Sequence, residues 1–85
     1  MKIRVLYFAS IREKLGKDAE EIELPEGVST IASLRSHLRK RGGAWTETLA
    51  DTRLLRTAVN QDMAQPAAAI KAGDEVAFFP PVTGG

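Results

Sequence analysis

From Ile3 to Phe8 the side chains alternate, with Ile3, Val5 and Tyr7 on one side and Arg4, Leu6 and Phe8 on the other. A period of two in β-branched and aromatic residues predicts a strand, and the apolar Leu6 and Phe8 on the second side predict a central one. Ser10 and Glu13 stand at capping-box spacing, Ile11 and Leu15 share a face, and Gly16 follows. Together they predict a short helix from Ser10 to Leu15. Glu20-Glu21-Ile22-Glu23-Leu24 alternates again before Pro25-Glu26-Gly27, as a half-exposed strand ending in a turn would. Behind Ser29, which can cap, Ile31, Leu34 and Leu38 recur at helical spacing and predict a helix from Ser29 to Arg41, stopped by Gly42-Gly43.

After a connection holding Trp45 and Leu49, the run Leu54 to Val59 predicts a third strand and Asn60-Gln61-Asp62 the turn that follows. Pro66 and the alanines around it predict an irregular segment. Ala72-Gly73-Asp74 is a turn signal ahead of Glu75 to Phe79, a last strand that Pro80-Pro81 must end, because neither proline can donate to a sheet ladder. Strand, short helix, strand, helix and further strands lack the regular alternation of a doubly wound sheet. The expected class is therefore α+β, a twisted sheet packed on one main helix, with a domain over residues 1–79 and a tail over 80–85.

Composition narrows the chemistry. At 85 residues, 44% of them hydrophobic, the chain has room for one domain with a modest core. Cys is absent, which removes disulfides, thiolate metal sites and persulfide carriage and points to a reducing, cytoplasmic compartment. Twelve cations against eleven acids leave a net charge of +1, too weak a field to imply nucleic acid or an anionic membrane. The basic cluster Arg35, Arg39, Lys40 and Arg41 falls at the end of its helix, where it complements the dipole, and no aromatic platform interleaves with it. The opening residues hold no apolar stretch long enough for a signal peptide or a membrane span. One histidine, His37, lies off the apolar stripe as a surface or boundary residue, and no metal site or phosphate-cradling loop is expected. Glu20-Glu21 and Asp74-Glu75 read as strand-edge solubility and turn formation. A self-sufficient enzyme is not expected.

The ending Phe78-Phe79-Pro80-Pro81-Val82-Thr83-Gly84-Gly85 is the unusual part. Prolines hold a chain extended and away from the domain, whereas glycines without Cβ let a terminal carboxylate pass through a channel too narrow for side chains. That order of stiffness suits delivery of a terminus.

The opening Val5-Leu6-Tyr7-Phe8-Ala9 with Arg12-Glu13, the middle Leu54-Leu55 with Ala58-Val59-Asn60-Gln61, and above all the ending from Gly73 to Gly85 resemble the sulfur-carrier subunits of molybdopterin synthases, ubiquitin-like β-grasp proteins. The similarity spans nearly the whole chain and is hardest to follow between Ala64 and Ala72. It implies that an E1-like adenylating enzyme uses ATP to activate the Gly85 carboxylate, that a sulfur-donating system converts it to a thiocarboxylate, and that Gly84 gives the tail access to the partner's channel. The large synthase subunit would then receive the tail, and two donations to cyclic pyranopterin monophosphate would build the dithiolene, in a heterotetramer of two large and two small subunits. This chain would bind no cofactor itself. Docking calls for an apolar patch near the tail, for which Phe8, Met63 and Phe79 are candidates with Pro80, Pro81, Val82 and Thr83. Phe8 and Phe79 could equally pack in the core, while Phe78 faces the other way and is expected there. A thiamine-pathway sulfur carrier, a ubiquitin-like modifier forming isopeptides through Gly85, and an interaction domain with an inert tail are the competing readings.

Overall fold

The computed structural model describes residues 1–81. Five strands form one mixed sheet in the order β2-β1-β5-β3-β4. They are β1 (Lys2–Tyr7), β2 (Ala19–Glu23), β3 (Arg56–Val59), β4 (Asp62–Ala64) and β5 (Glu75–Phe79). β1 pairs antiparallel with β2 and parallel with β5, so it is flanked on both sides as its two apolar faces predict. The α+β class and the β-grasp arrangement, one main helix laid across a mixed sheet, agree with the expectation.

One face of the sheet carries the core. Ile3, Val5 and Tyr7 of β1, Ile22 of β2, and Val76 and Phe78 of β5 pack against Ile31, Leu34 and Leu38 of helix α2 (Ile31–Arg39) and against Ile11 of α1 (Ala9–Leu15). Tyr7 stacks on Phe78 with ring centroids 6.3 Å apart and meets Trp45 edge-on at 5.5 Å. Each pair adds to the area it buries.

Both helix starts differ from the sequence expectation. α1 begins at Ala9 with Phe8 in the capping position, and neither Ser10 nor any other side chain caps it. The chain turns there through Ala9 at φ 51°, and Gly16 in the left-handed region closes the helix as its sequence position predicts. In α2 the cap is Thr30 instead of Ser29: its Oγ1 accepts from the Ser33 N–H at 3.1 Å, and the Ser33 hydroxyl accepts from the Thr30 N–H at 2.9 Å. The alanine-rich stretch completes this end. The N–H groups of Ile31 and Ala32 donate to the carbonyls of Ala68 and Pro66, so the first turn of α2 leaves no backbone donor stranded.

Two elements go beyond the pattern of the sequence. Helix α3 (Ala44–Thr48) occupies the connection around Trp45, and Leu49 after it is fully buried. The turn Asn60-Gln61, with φ 51° and 72°, folds β4 back on β3 as a hairpin. The basic residues of α2 are also more than dipole partners. Arg35 donates to the carbonyls of Leu49, Ala50 and Arg53, holding the segment between α3 and β3. Arg39 pairs with Asp51 at 2.9 Å.

Arg41 reaches the carboxylate of Glu20 with two hydrogen bonds of 2.8 and 3.1 Å and lies over the Trp45 ring. Tyr7 donates its hydroxyl to the same carboxylate at 2.7 Å. Burial, and then the Glu20 carboxylate, push the Tyr7 phenol well up. Burial opposes the charge on Glu20, but hydrogen bonds from Arg41 and Tyr7 and the charges of Arg41 and Lys17 outweigh it and hold the carboxyl below its ordinary value.

A depressed folded pKa contributes stability that is present above the unfolded value and lost as pH falls through the folded one. Glu20→Gln should therefore lower stability by about 1 kcal/mol at neutral pH, with the difference from the parent closing below the ordinary carboxylate range. Urea titrations at a series of pH values, followed by Trp45 fluorescence, check this; a constant difference down to about pH 3 contradicts it.

Candidate functional site

The opposite face of the sheet is bare, since all three helices lie on the core side. The strand registers order its side chains in rows. One row crosses the sheet as Ala19, Leu6, Ala77, Ala58 and Met63, each opposite the next on the neighbouring strand. A second row, two residues further along, brings Phe8 beyond the end of β1 toward Phe79, which faces Arg56 on β3. Phe8 is extended there, and its N–H donates to the Phe78 carbonyl at 3.1 Å, continuing the parallel ladder past the last strand residue. On the far side of the apolar row stands a charged one, with Arg4 between Glu21 and Glu75.

Phe8 is 44% and Met63 59% exposed. Phe79, Pro80 and Pro81 are half-buried. The alternatives left open for the phenylalanines resolve by the pleat: Phe8 and Phe79 face outward, while Phe78 is fully buried in the core. Met63 reaches the face by a different route than its sequence position implies. The turn before it lies at the other end of the sheet, where the Asn60 side chain bonds Asp74 and the Glu75 N–H. The returning strand β4 then carries Met63 back to sit opposite Ala58. Leu6, Ala58, Ala77 and Arg56 also belong to this face and were not singled out. The apolar Leu6 amid alternating charges was the available signal.

The tail root leaves the sheet at the same end. Phe79 ends β5, which is bonded to β1 on one side and β3 on the other, so the chain departs from the middle of the sheet beside Phe8. Pro80 and Pro81 then offer no N–H for further pairing. Val82, Thr83, Gly84 and Gly85 lie outside the described residues. Among the described residues no group of three or more His, Asp or Glu comes together to hold a metal ion, and no helix is long and apolar enough to cross a membrane. His37 is half-buried on α2. The arrangement thus sets about two apolar rows on the uncovered face of the sheet, with the Pro80-Pro81 segment leaving β5 beside them.

Residues 5–85 match the ThiS family. The chain belongs to that family. Within the ThiS family it is 45% identical over 83 residues to the molybdopterin synthase sulfur carrier subunit of Haemophilus influenzae, covering 98% of this chain and 99% of the relative. Identity and coverage are the same for the molybdopterin synthase sulfur carrier subunit of Escherichia coli K12. Among solved structures, SAMP1 from Haloferax volcanii superposes with a TM-score of 0.80 at 27% identity over the full length of both chains. A putative molybdopterin converting factor subunit 1 from Pyrococcus furiosus does so with 0.79 at 33% identity, covering 96% of this chain and 99% of that one. The same fold, at 23% identity and a TM-score of 0.68 over the full length of both chains, occurs in a complex of subunits 1 and 2 of molybdopterin-converting factor from Helicobacter pylori. The ThiS-family matches span the 64–72 stretch that is hard to follow by eye, and in this member that stretch serves the start of α2.

The two faces should respond differently to substitution. Met63→Ser, on the bare face of this ThiS-family chain, is expected to change stability by no more than about 0.5 kcal/mol, whereas Phe78→Ala should cost about 3–5 kcal/mol. Denaturant midpoints of the two variants against the parent check the assignment of faces.

Proposed function

We propose that this chain is the sulfur carrier subunit of a molybdopterin synthase and works in molybdenum cofactor biosynthesis in the cytoplasm. The observation that carries the reading is the exit of the Pro80-Pro81 root from the central strand beside a bare apolar face, in a chain whose relatives of that name match it end to end. The docking face positions the partner, and the tail supplies the reacting group.

A carboxylate resists nucleophiles until one oxygen belongs to a good leaving group. An adenylating enzyme joins the Gly85 carboxylate to the α-phosphate of ATP and releases pyrophosphate. Sulfide (HS⁻) supplied by the donating system then attacks the acyl carbon, AMP leaves with the bonding pair, and loss of the S–H proton leaves the terminus a thiocarboxylate. That group is ionised at neutral pH and is a soft nucleophile. In the large subunit it attacks cyclic pyranopterin monophosphate, and hydrolysis of the resulting acyl–sulfur bond leaves sulfur on the pterin and returns the Gly85 carboxylate. Two such cycles supply the two dithiolene sulfurs. Throughout, this chain binds no cofactor, and the large subunit provides the acid, base and phosphate-binding groups. Gly84 and Gly85 carry no Cβ, which suits passage through a narrow channel. The synthase is proposed as a heterotetramer with one carrier on each large subunit.

Incubation with ATP, the adenylating enzyme and a sulfur source should raise the intact mass by roughly 16 Da, the exchange of one oxygen for sulfur, with the change confined to Gly85. Deletion of Gly85 should abolish it. Conjugates to lysines of other proteins in place of the mass gain would assign a modifier instead, and no change in either would leave the tail inert.

A further inference from the structure

At the end of the sheet from which the tail departs lies a groove of about 390 Å³ that adjoins the two rows of the docking face and shares Met63 and Arg56 with them. Its walls include Arg35 of α2, Leu54 and Arg56 at the approach to β3, Met63 of β4, Pro66 after it, and Pro81 of the tail root. Leu54 is 81% exposed, more than the other large hydrophobic side chains that stand exposed among the described residues. A single exposed leucine is ordinary, but this one stands with Met63 and two prolines at the mouth of a cavity.

Two features say what fits. The lining holds two guanidinium groups and no carboxylate, so charge favours an acidic occupant beside an apolar one. Three Arg35 hydrogen bonds go to the backbone carbonyls of Leu49, Ala50 and Arg53, which fixes that guanidinium as a rigid wall, while Arg56 is exposed at the rim. The groove is also continuous with the docking face. Met63 and Arg56 belong to both, and Pro81 of the tail root lines the groove as well.

We propose that the large synthase subunit, on receiving the tail, seats an apolar side chain with a neighbouring carboxylate in this groove, and that the adenylating enzyme does not use it. This rests on the sulfur-carrier reading. A lasting complex has to bury more area than an enzyme met for one reaction, and among the described residues the docking face presents only Leu6, Phe8, Met63 and Phe79 as large apolar groups. The groove supplies the difference.

The test uses the full chain with its cognate large subunit and adenylating enzyme. Leu54→Glu alters an exposed side chain, and circular dichroism checks that the fold is kept. It should weaken binding to the large subunit about tenfold or more in calorimetric titration, while the rate of ATP–pyrophosphate exchange on the adenylating enzyme stays within about twofold of the parent. Arg56→Gln should flatten the salt dependence of the same affinity. If Leu54→Glu binds the large subunit as the parent does while Phe8→Glu does not, the groove is unused and the docking face stands alone. If Leu54→Glu slows exchange as strongly as it weakens subunit binding, the claimed selectivity is wrong. Full affinity in both Leu54→Glu and Phe8→Glu overturns the docking face together with the groove.

Discussion

Strand β5 is hydrogen-bonded along both edges, and its parallel pairing with β1 joins the two ends of the chain, Arg4 to Glu75 through Tyr7 to Phe78. Contacts between residues so far apart in sequence carry a large loop-closure entropy that only burial can offset. Val5, Tyr7, Val76 and Phe78 provide it: all four are buried, three of them completely. Full burial of such side chains is worth about 1.5–3 kcal/mol each. Without that pairing the sheet would split between β1 and β5, the outer rows would lose their register, and the tail would have no fixed point of departure.

The pleat then divides the work. Core residues take the odd positions of β1 and the even positions of β5, which leaves the alternate positions to a face that the fold does not need for its own stability. Stability on the helix side is completed by polar contacts that tie irregular segments down: Thr30 with Ser33 at the start of α2, Arg35 on three carbonyls, and Arg41 with Glu20 near Tyr7 and Trp45. Because these sit away from the bare face, a partner can cover that face without disturbing them.

Local periodicity made much of this readable from the chain. Ile3, Val5 and Tyr7, and Ile31, Leu34 and Leu38, are regular enough to announce β1 and α2, and the prolines after Phe79 mark the end of β5. What stayed hidden depends on distant partners. Ser29 and Thr30 are both competent caps, and the choice between them is made where the carbonyls of Pro66 and Ala68 meet the first turn. Helix α3 is only five residues long, and Arg35 of another helix fixes the segment that follows it, so no local pattern reports it. β4 is three residues long, and its hairpin needs two consecutive positive φ values at residues other than glycine, which sequence rarely signals. The site is legible in part for the same reason: Phe8 and Phe79 follow from alternation and Met63 stands out by its polar neighbours, but its place beside Ala58 is a product of the hairpin, and the groove at Leu54 joins four separate segments.

The way the tail is anchored has a mechanical consequence. A strand at the edge of a sheet, when its end is pulled, unzips one hydrogen bond at a time. β5 is held by neighbours on both sides, and β1 runs in the same direction, so a pull on the chain beyond Pro81 along the strand axis loads those bonds together in shear. A load applied at the Phe79 end of β5 is therefore shared by two ladders, one to each neighbouring strand.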